Sequence, residues 1–260
     1  MFLQSRKAIL AACLSLTAFL FAPIASPASA ETFSAAQKTE IESIIHSYLV
    51  DHPEVLREAA VALEKKQALE EGELHRRVIE QNRDALFNST FPGVVGNAKG
   101  KITLVEFFDY NCGYCKKALG DLVNLIKSER ELRVVLMDFP VLGPDSVEAA
   151  QVASAARKQI SGDKFFEFHQ KLLSTRGHVG REQALAVAKD QGLDMDRLQK
   201  DLKDPSIRAG LEQTMKLADA LNLTGTPSYV IGDEAIVGAV GFDQLQTRVE
   251  ALAKCGKNAC

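Results

Sequence analysis

The sequence predicts an α/β domain with an inserted block of helices, preceded by a separate helical arm. Three patterns lead to this prediction. Two apolar strands flank a helix between residues 102 and 139, helical periodicity then runs from about residue 145 to 223, and two strands and a helix follow from residue 228. Because the long helical stretch lies between strands that can share one sheet, we expect it to be an insertion and not a separate domain.

The first thirty residues have the pattern of an export signal. Arg6 and Lys7 form a basic start, an apolar run covers about residues 8 to 24, and an Ala-Ser-Ala triplet ends at Ala30. We expect cleavage near Ala30 and localisation in the periplasm, an oxidising compartment. Two alternatives stay open: an uncleaved membrane anchor, and lipidation of Cys13.

The rest of the chain, 230 of the 260 residues, suits one sizeable domain with an accessory region. The formal net charge of −3 becomes −5 without the two basic leader residues, which argues against nucleic acid as a partner. No later stretch is apolar enough to span a membrane. Four cysteines remain after the leader, at Cys112, Cys115, Cys255 and Cys260.

Residues 31 to 88 are predicted to form a helical oligomerisation arm and a linker. Ser34 and Gln37 match a capping box, and Pro53 fits the first turn of a second helix. Apolar residues recur on one helical face, at Ile41, Ile44, Ile45, Tyr48 and Leu49. Since the segment has too few large apolar residues for a core of its own, we expect it to pair with copies of itself. Docking on its own domain is the alternative.

Turn residues are dense between residues 88 and 100, which predicts that the main domain covers residues 89 to 260. The apolar run 102–108, interrupted only by Glu106, predicts a strand buried on both faces. A helix and a second strand complete a parallel βαβ unit. The predicted elements after the first strand are a helix at 112–127, a strand at 132–139, a hairpin at 228–231 and 235–240, and a helix at 242–253.

The stretch "FFDYNCGYCKKALG" places Cys112 and Cys115 two residues apart after a buried strand. A C-x-x-C beside a βαβ unit is typical of a redox-active dithiol. Cys112 stands where a helix begins, so unpaired N–H groups and the helix dipole stabilise its thiolate, and Cys115 can resolve a mixed disulfide. A zinc site would need more ligands, and a structural bridge here would close too short a loop to stabilise much.

Two further features fit redox chemistry. Thr226-Pro227 precedes the third predicted strand, where a cis peptide would present backbone groups to an extended substrate. An ordinary loop proline is the alternative. Burial of Glu106 would raise its pKa and suit it to exchanging a proton with Cys115. The alternative is a glutamate at a sheet edge or paired with a nearby lysine.

The stretches "VEFFDYNCGYCKKA" and "GTPSYVIG" together resemble the DsbA-like branch of the thioredoxin superfamily, over roughly residues 92 to 254. The resemblance implies a thioredoxin fold with an inserted helical subdomain. It also implies that Cys112 is the nucleophile, Cys115 the resolving thiol and Glu106 the buried acid. Thr226-Pro227 would be the substrate-side cis loop.

The arm sequence "IESIIHSYLVDHPEVLREA" resembles the amino-terminal oligomerisation region of the ScsC (suppressor of copper sensitivity) and Com1-type members of this branch. That implies a homo-oligomer, with a trimer favoured. Gly113 and Tyr114, together with Thr226 before Pro227, are similar to the corresponding residues of disulfide isomerases, and are expected to contact substrate. DsbA itself has Pro-His between its cysteines and valine before the proline.

The expected function is therefore that of an exported thiol–disulfide oxidoreductase, most specifically an oligomeric isomerase of misfolded or disulfide-bonded proteins. A membrane thiol reductase or oxidase would be its redox partner. A monomeric DsbA-like oxidase and a copper-binding stress protein are the alternatives. No cofactor besides the Cys112–Cys115 pair and no metal site is expected, and copper(I) binding is not predicted because methionine-rich and histidine-rich tracts are absent.

Cys255 and Cys260 depart from the family pattern. We expect a local structural disulfide between them that pins the last helix. A second redox pair or a copper(I) thiolate site is the alternative. The histidines show no ligand spacing and are expected to be surface or packing residues, at His46, His52, His75, His169 and His178.

Overall fold

The computed structural model describes residues 33 to 256. The chain divides into two compact units, one ending at Ala59 and the other beginning at Ala60. The predicted export signal, residues 1 to 30, and Cys260 lie outside the described residues. Within residues 33 to 256, no helix is long and apolar enough to cross a membrane.

The first unit contains helix α1, Ala35–Asp51, and the start of α2, Glu54–Gln81. The predicted capping box begins α1: the Gln37 backbone N–H donates to Ser34 Oγ at 3.3 Å, and the Ser34 N–H donates to Gln37 Oε1 at 2.9 Å. Pro53 directly precedes α2, as its fixed φ favours. No residue of α1 is buried.

The second unit begins within α2, whose carboxyl-terminal part supplies core side chains. Val78 and Ile79 are buried, and so is Leu86 in the π-helical turn Asp84–Asn88 that follows. These side chains pack with residues of the sheet, among them Val105. The predicted boundary at residue 88 therefore lies inside this unit, because apolar residues that looked sparse along the arm reach a core built elsewhere in the sequence.

A five-stranded mixed sheet forms the centre of the second unit, in the order β1-β3-β2-β4-β5. The parallel pair β2–β3 is the predicted βαβ unit, and the other three pairings are antiparallel. The strands are β1, Gly93–Gly96; β2, Ile102–Phe108; β3, Leu132–Asp138; β4, Ser228–Ile231; and β5, Glu234–Val237.

Strand β1 was not expected, since its glycines looked like part of a turn-rich boundary. It pairs with β3 in the register Gly93↔Leu136. The strand therefore forms because the fold places β3 beside it. A Cβ atom at Gly93 would lie 2.1 Å from a ring carbon of Phe165, so the absence of a side chain is what lets the helix that carries Phe165 approach the strand.

Seven further helices of the described residues complete the second unit, and five of them, α4 to α8, form the predicted insertion. They are α3, Gly113–Ser128; α4, Pro144–Ala156; α5, Gly162–Ser174; α6, Arg181–Asp190; α7, Met195–Asp201; α8, Pro205–Ala220; and α9, Phe242–Cys255. Alternate residues of β2 enter two cores: Leu104 and Phe108 pack on one face of the sheet, and Val105 and Phe107 on the other. The fold is thus the predicted α/β domain with a helical insertion.

Candidate active site

Cys112 and Cys115 lie at the start of α3, just beyond the carboxyl end of β2. Cys112 is the N-cap residue of α3, with extended backbone angles (φ −74°, ψ 118°), and its Sγ accepts a hydrogen bond from the Cys115 N–H at 3.4 Å. The Cys112 N–H donates to the Asp109 carbonyl at 3.0 Å, which closes the turn between strand and helix. Both cysteines are free thiols.

The two thiols differ less in exposure than their expected roles suggest. Cys112 is 6% exposed and Cys115 is 1% exposed. Burial, followed by the charge of Glu106, holds the pKa of the Cys115 thiol far above its usual range. Cys115 therefore cannot act as a nucleophile near neutral pH unless a base removes its proton.

The Thr226–Pro227 peptide bond is cis, as the sequence pattern predicted. The Cys112 thiol donates to the Thr226 carbonyl at 3.1 Å, so the loop faces the first cysteine across the site. Ser228 holds the same loop from the other side, because its Oγ donates to the Gly225 carbonyl at 2.7 Å. The dithiol thus sits between the first turn of α3 and the cis loop.

Glu106 lies in the middle of β2, an interior strand of the sheet, and is 3% exposed. Burial raises its pKa to about 8. Its Oε2 has no hydrogen-bond partner among the described residues. The strand order excludes an edge position for Glu106. Lys116, a nearby lysine that could have paired with Glu106, donates instead to the carbonyls of Thr175 at 2.9 Å and Gly177 at 3.2 Å.

Tyr229 is a site residue that the sequence analysis missed. In the β2–β4 pairing it lies directly opposite Glu106, and it is 1% exposed. Burial, and then the charges of Glu106 and Cys115, hold the pKa of its phenol well above the usual range. The position two residues after Pro227 could have indicated it, but only once the antiparallel register of β4 on β2 was known.

A second set of missed residues surrounds the carboxylate of Asp109 and the carboxamide of Asn111. Asp109 accepts from the Asn111 N–H at 2.8 Å and Ser146 Oγ at 2.7 Å through Oδ1, and from the Leu142 N–H at 3.0 Å through Oδ2. Asn111 accepts from the Val179 N–H at 2.7 Å. It also donates through Nδ2 to the Val179 carbonyl at 2.9 Å and Ser146 Oγ at 3.0 Å.

We call this set the clasp: Asp109, Asn111, Leu142, Ser146 and Val179. It joins the turn before the dithiol to two parts of the helical insertion, the start of α4 with the loop before it and the loop before α6. Polar residues in the motif "DYNC" were a usable signal. Their partners in the insertion lie 33 to 68 residues away in sequence, so no local pattern could supply them.

The surface beside the dithiol carries exposed aromatic and apolar side chains. Tyr114 is 64% exposed, and the ammonium of Lys117 lies 5.5 Å from its ring centroid. Val141 and Leu142 are 41% and 51% exposed. A Cβ at Gly113 would meet no atom within 4 Å, so this position faces open space. Contact of Gly113 and Tyr114 with substrate stays a prediction.

Residues 33 to 256 contain no group of three or more His, Cys, Asp or Glu side chains placed to hold a metal ion. Cys255 is disulfide-bonded, and its predicted pairing with Cys260 falls outside the described residues. His169 is a packing residue: burial lowers its pKa to about 3, and its Nδ1 lies 3.3 Å from the Tyr110 hydroxyl.

Comparisons with known proteins find similarity over both units. The family described as "DSBA-like thioredoxin domain" matches residues 103–250, and the "Copper resistance protein ScsC N-terminal domain" matches residues 37–70. A thioredoxin-like oxidoreductase from Silicibacter pomeroyi is 40% identical, with a TM-score of 0.63, over 67% of this chain and 99% of that chain. A linker-deletion variant of Proteus mirabilis ScsC is 29% identical, with a TM-score of 0.64, over 87% of this chain and 100% of that one.

The first curated relatives are much longer than this chain. A Na⁺/H⁺ antiporter NhaA from Salinispora arenicola is 27% identical over 158 residues, which is 60% of this chain. The chain spans 24% of the length of that antiporter. The similarity is therefore restricted to one region of the antiporter.

Proposed function

The chain belongs to the DSBA-like thioredoxin domain family, and we propose that it is a thiol–disulfide oxidoreductase that acts on protein disulfides. One observation carries the proposal: Cys112 Sγ caps the first turn of α3 and faces the Thr226 carbonyl, with Cys115 buried behind it. A polypeptide disulfide that meets the cis loop would present its sulfur to this thiol.

In the first step, the Cys112 thiolate attacks one sulfur of the substrate disulfide. A mixed disulfide forms, and the second substrate sulfur leaves as a thiolate that takes a proton from water. The Cys115 N–H donates to Cys112 Sγ, so the attacking sulfur lies at the positive end of the α3 dipole. No electrons leave the enzyme–substrate pair in this step.

In the second step, the Glu106 carboxylate accepts the proton of Cys115, and the Cys115 sulfur attacks Cys112 Sγ. The mixed disulfide breaks, the substrate leaves with both sulfurs reduced, and Cys112 and Cys115 become a disulfide. Glu106 has a pKa of about 8, so its carboxylate fraction rises through neutral pH. The charge of Glu106 acts on the Cys115 thiol, and in its carboxylate form Glu106 can accept the proton of that thiol as its sulfur attacks.

We further propose that isomerisation is the main use of this chemistry. In an isomerase, a substrate thiolate displaces Cys112 from the mixed disulfide before Cys115 does, and the net redox change is zero. The likeness of Gly113, Tyr114 and Thr226 to isomerase residues supports this. The substrates would be misfolded or disulfide-bonded proteins of the periplasm, reached after cleavage near Ala30. A membrane thiol reductase would keep the dithiol reduced, and no cofactor or metal is required.

Oligomerisation is the second part of this proposal. The apolar face of α1 is exposed in the single chain and lies in the segment that matches the ScsC amino-terminal domain, so we assign it to contacts between copies in a homotrimer. Several dithiols around one misfolded chain would raise their effective concentration.

The experiment is refolding of a scrambled-disulfide protein, with the molar mass measured in parallel. Residues 31–59 are deleted, and not residues 31–88, because Ile79 and Leu86 belong to the core of the second unit. We expect the deletion to give a folded monomer that still exchanges simple disulfides and isomerises poorly. A full-length mature protein that is monomeric at micromolar concentration would overturn the oligomer and favour the monomeric oxidase.

A further inference from the structure

The side chain of Asn111 makes with one residue, Val179, the pair of hydrogen bonds that a neighbouring β-strand would make with its backbone. Its Oδ1 accepts from the Val179 N–H at 2.7 Å, and its Nδ2 donates to the Val179 carbonyl at 2.9 Å. One carboxamide thereby fixes both the position and the orientation of a backbone segment from the helical insertion. A third bond, from Nδ2 to Ser146 Oγ at 3.0 Å, fixes the carboxamide itself.

The segment held in this way is the loop 175–179. Its other end is held by Lys116, whose ammonium donates to the carbonyls of Thr175 and Gly177. Asn111 directly precedes Cys112, and Lys116 directly follows Cys115, so the loop is attached on both sides of the dithiol. Its tip, with Arg176 and His178, is exposed.

These contacts act on the loop and not on the sulfur atoms. The hydrogen bonds of Cys112 Sγ go to the Thr226 carbonyl and the Cys115 N–H. Asn111 makes its side-chain bonds to Val179 and Ser146. Loss of the Asn111 carboxamide therefore releases the Val179 end of the loop, while Lys116 still holds the Thr175 end, and it leaves the surroundings of the thiol in place.

We propose that Asn111 is a positioning residue that holds the loop 175–179 as one wall of the site receiving the substrate polypeptide. The inference rests on the proposed exchange activity. A polypeptide disulfide contacts the wall while it is bound, in the mixed disulfide as well as before it. Loss of the wall therefore weakens substrate binding more than it slows the exchange chemistry.

The test compares Asn111→Ala with Asn97→Ala, using a fluorogenic peptide that contains one disulfide. Asn97 is a matched control: it is also partly buried and also bonds the backbone, donating to the Arg130 carbonyl at 2.9 Å and accepting from the Lys99 N–H at 3.0 Å. It precedes β2, whereas the dithiol follows the other end of that strand. We expect Asn111→Ala to raise KM about tenfold with kcat within about twofold, as misplacement of a binding element does. Asn97→Ala should change neither.

Ser146→Ala serves as a milder second variant. It removes one bond of Asn111 Nδ2 and the bond from Ser146 Oγ to Asp109 Oδ1, and it leaves both bonds between Asn111 and Val179. We therefore expect a smaller rise in KM, which stays measurable if Asn111→Ala does not fold. Unchanged KM in either folded variant, or a fall in kcat equal to the rise in KM, would overturn the positioning role. A wild-type protein without activity on the peptide would instead overturn the proposed function, and this inference with it.

Discussion

Helices α1 and α3 have similar apolar spacing and opposite environments. In α3 the residues on the apolar face are buried against its own unit, at Cys115, Ala118, Leu122 and Leu125. In α1 the corresponding face is exposed by 38 to 62%, at Ile41, Ile44, Ile45 and Tyr48. An amphipathic pattern therefore predicts a helix and its apolar face, but it does not say which surface covers that face. If α3 carries the chemistry and α1 the assembly, substitutions in the two helices should have different effects.

The largest effect is expected at the start of α3. Cys112→Ser should abolish disulfide exchange, because no other described free thiol caps a helix beside the cis loop. Cys115→Ser should retain the first attack and accumulate mixed disulfides, visible as adducts on a non-reducing gel. Adducts in the Cys112→Ser variant, and their absence in Cys115→Ser, would reverse the two roles.

The next effect is expected at Glu106, behind the dithiol. Glu106→Gln keeps the shape of the side chain and removes the base, so resolution by Cys115 should slow by about tenfold or more at neutral pH. The wild-type rate should rise as pH approaches about 8, and the variant rate should not show this rise. Stopped-flow measurement from pH 6 to 8 checks it. A pH profile shared by both proteins would leave Glu106 a structural role.

The raised pKa of Glu106 also makes the stability of the fold depend on pH. Its folded pKa of about 8 lies above the ordinary value of 4.5, so the folded state binds the proton more tightly than the unfolded state. The contribution of Glu106 to the free energy of unfolding of the reduced protein should therefore be greatest below about pH 4.5. That contribution should be lost as the pH rises through about 8. Urea unfolding of Glu106→Gln across this range should show no such loss.

The smallest effects distinguish two isoleucines, one in each unit. Ile79 is 1% exposed, and Ile79→Ala should lower the free energy of unfolding by about 2–5 kcal/mol at any protein concentration. Ile45 is 52% exposed, so Ile45→Ala should cost little within one chain and should weaken the oligomer instead. Unfolding at two concentrations, with sedimentation, separates the two cases. A concentration-independent loss at Ile45 would contradict assembly through α1.

Much of the second unit could be predicted from local patterns. Strand β2 has the predicted bounds, β4 likewise, and α3 starts one residue after Cys112. The prediction failed at β1, where four residues form a strand only because β3 lies beside them. It also failed at the boundary, since the buried state of Ile79 depends on a core assembled from later segments.

What the sequence by itself determined is what neighbouring residues can fix: a dithiol at a helix start, a Thr-Pro cis loop, and a strand whose apolar run carries one carboxylate. Only the tertiary structure decided what surrounds these groups. It placed Tyr229 opposite Glu106 and brought Val179 to Asn111 across 68 residues of sequence. The reason is physical: desolvation and side-chain hydrogen bonding depend on the atoms within a few ångströms, and in this unit those atoms come from distant parts of the chain.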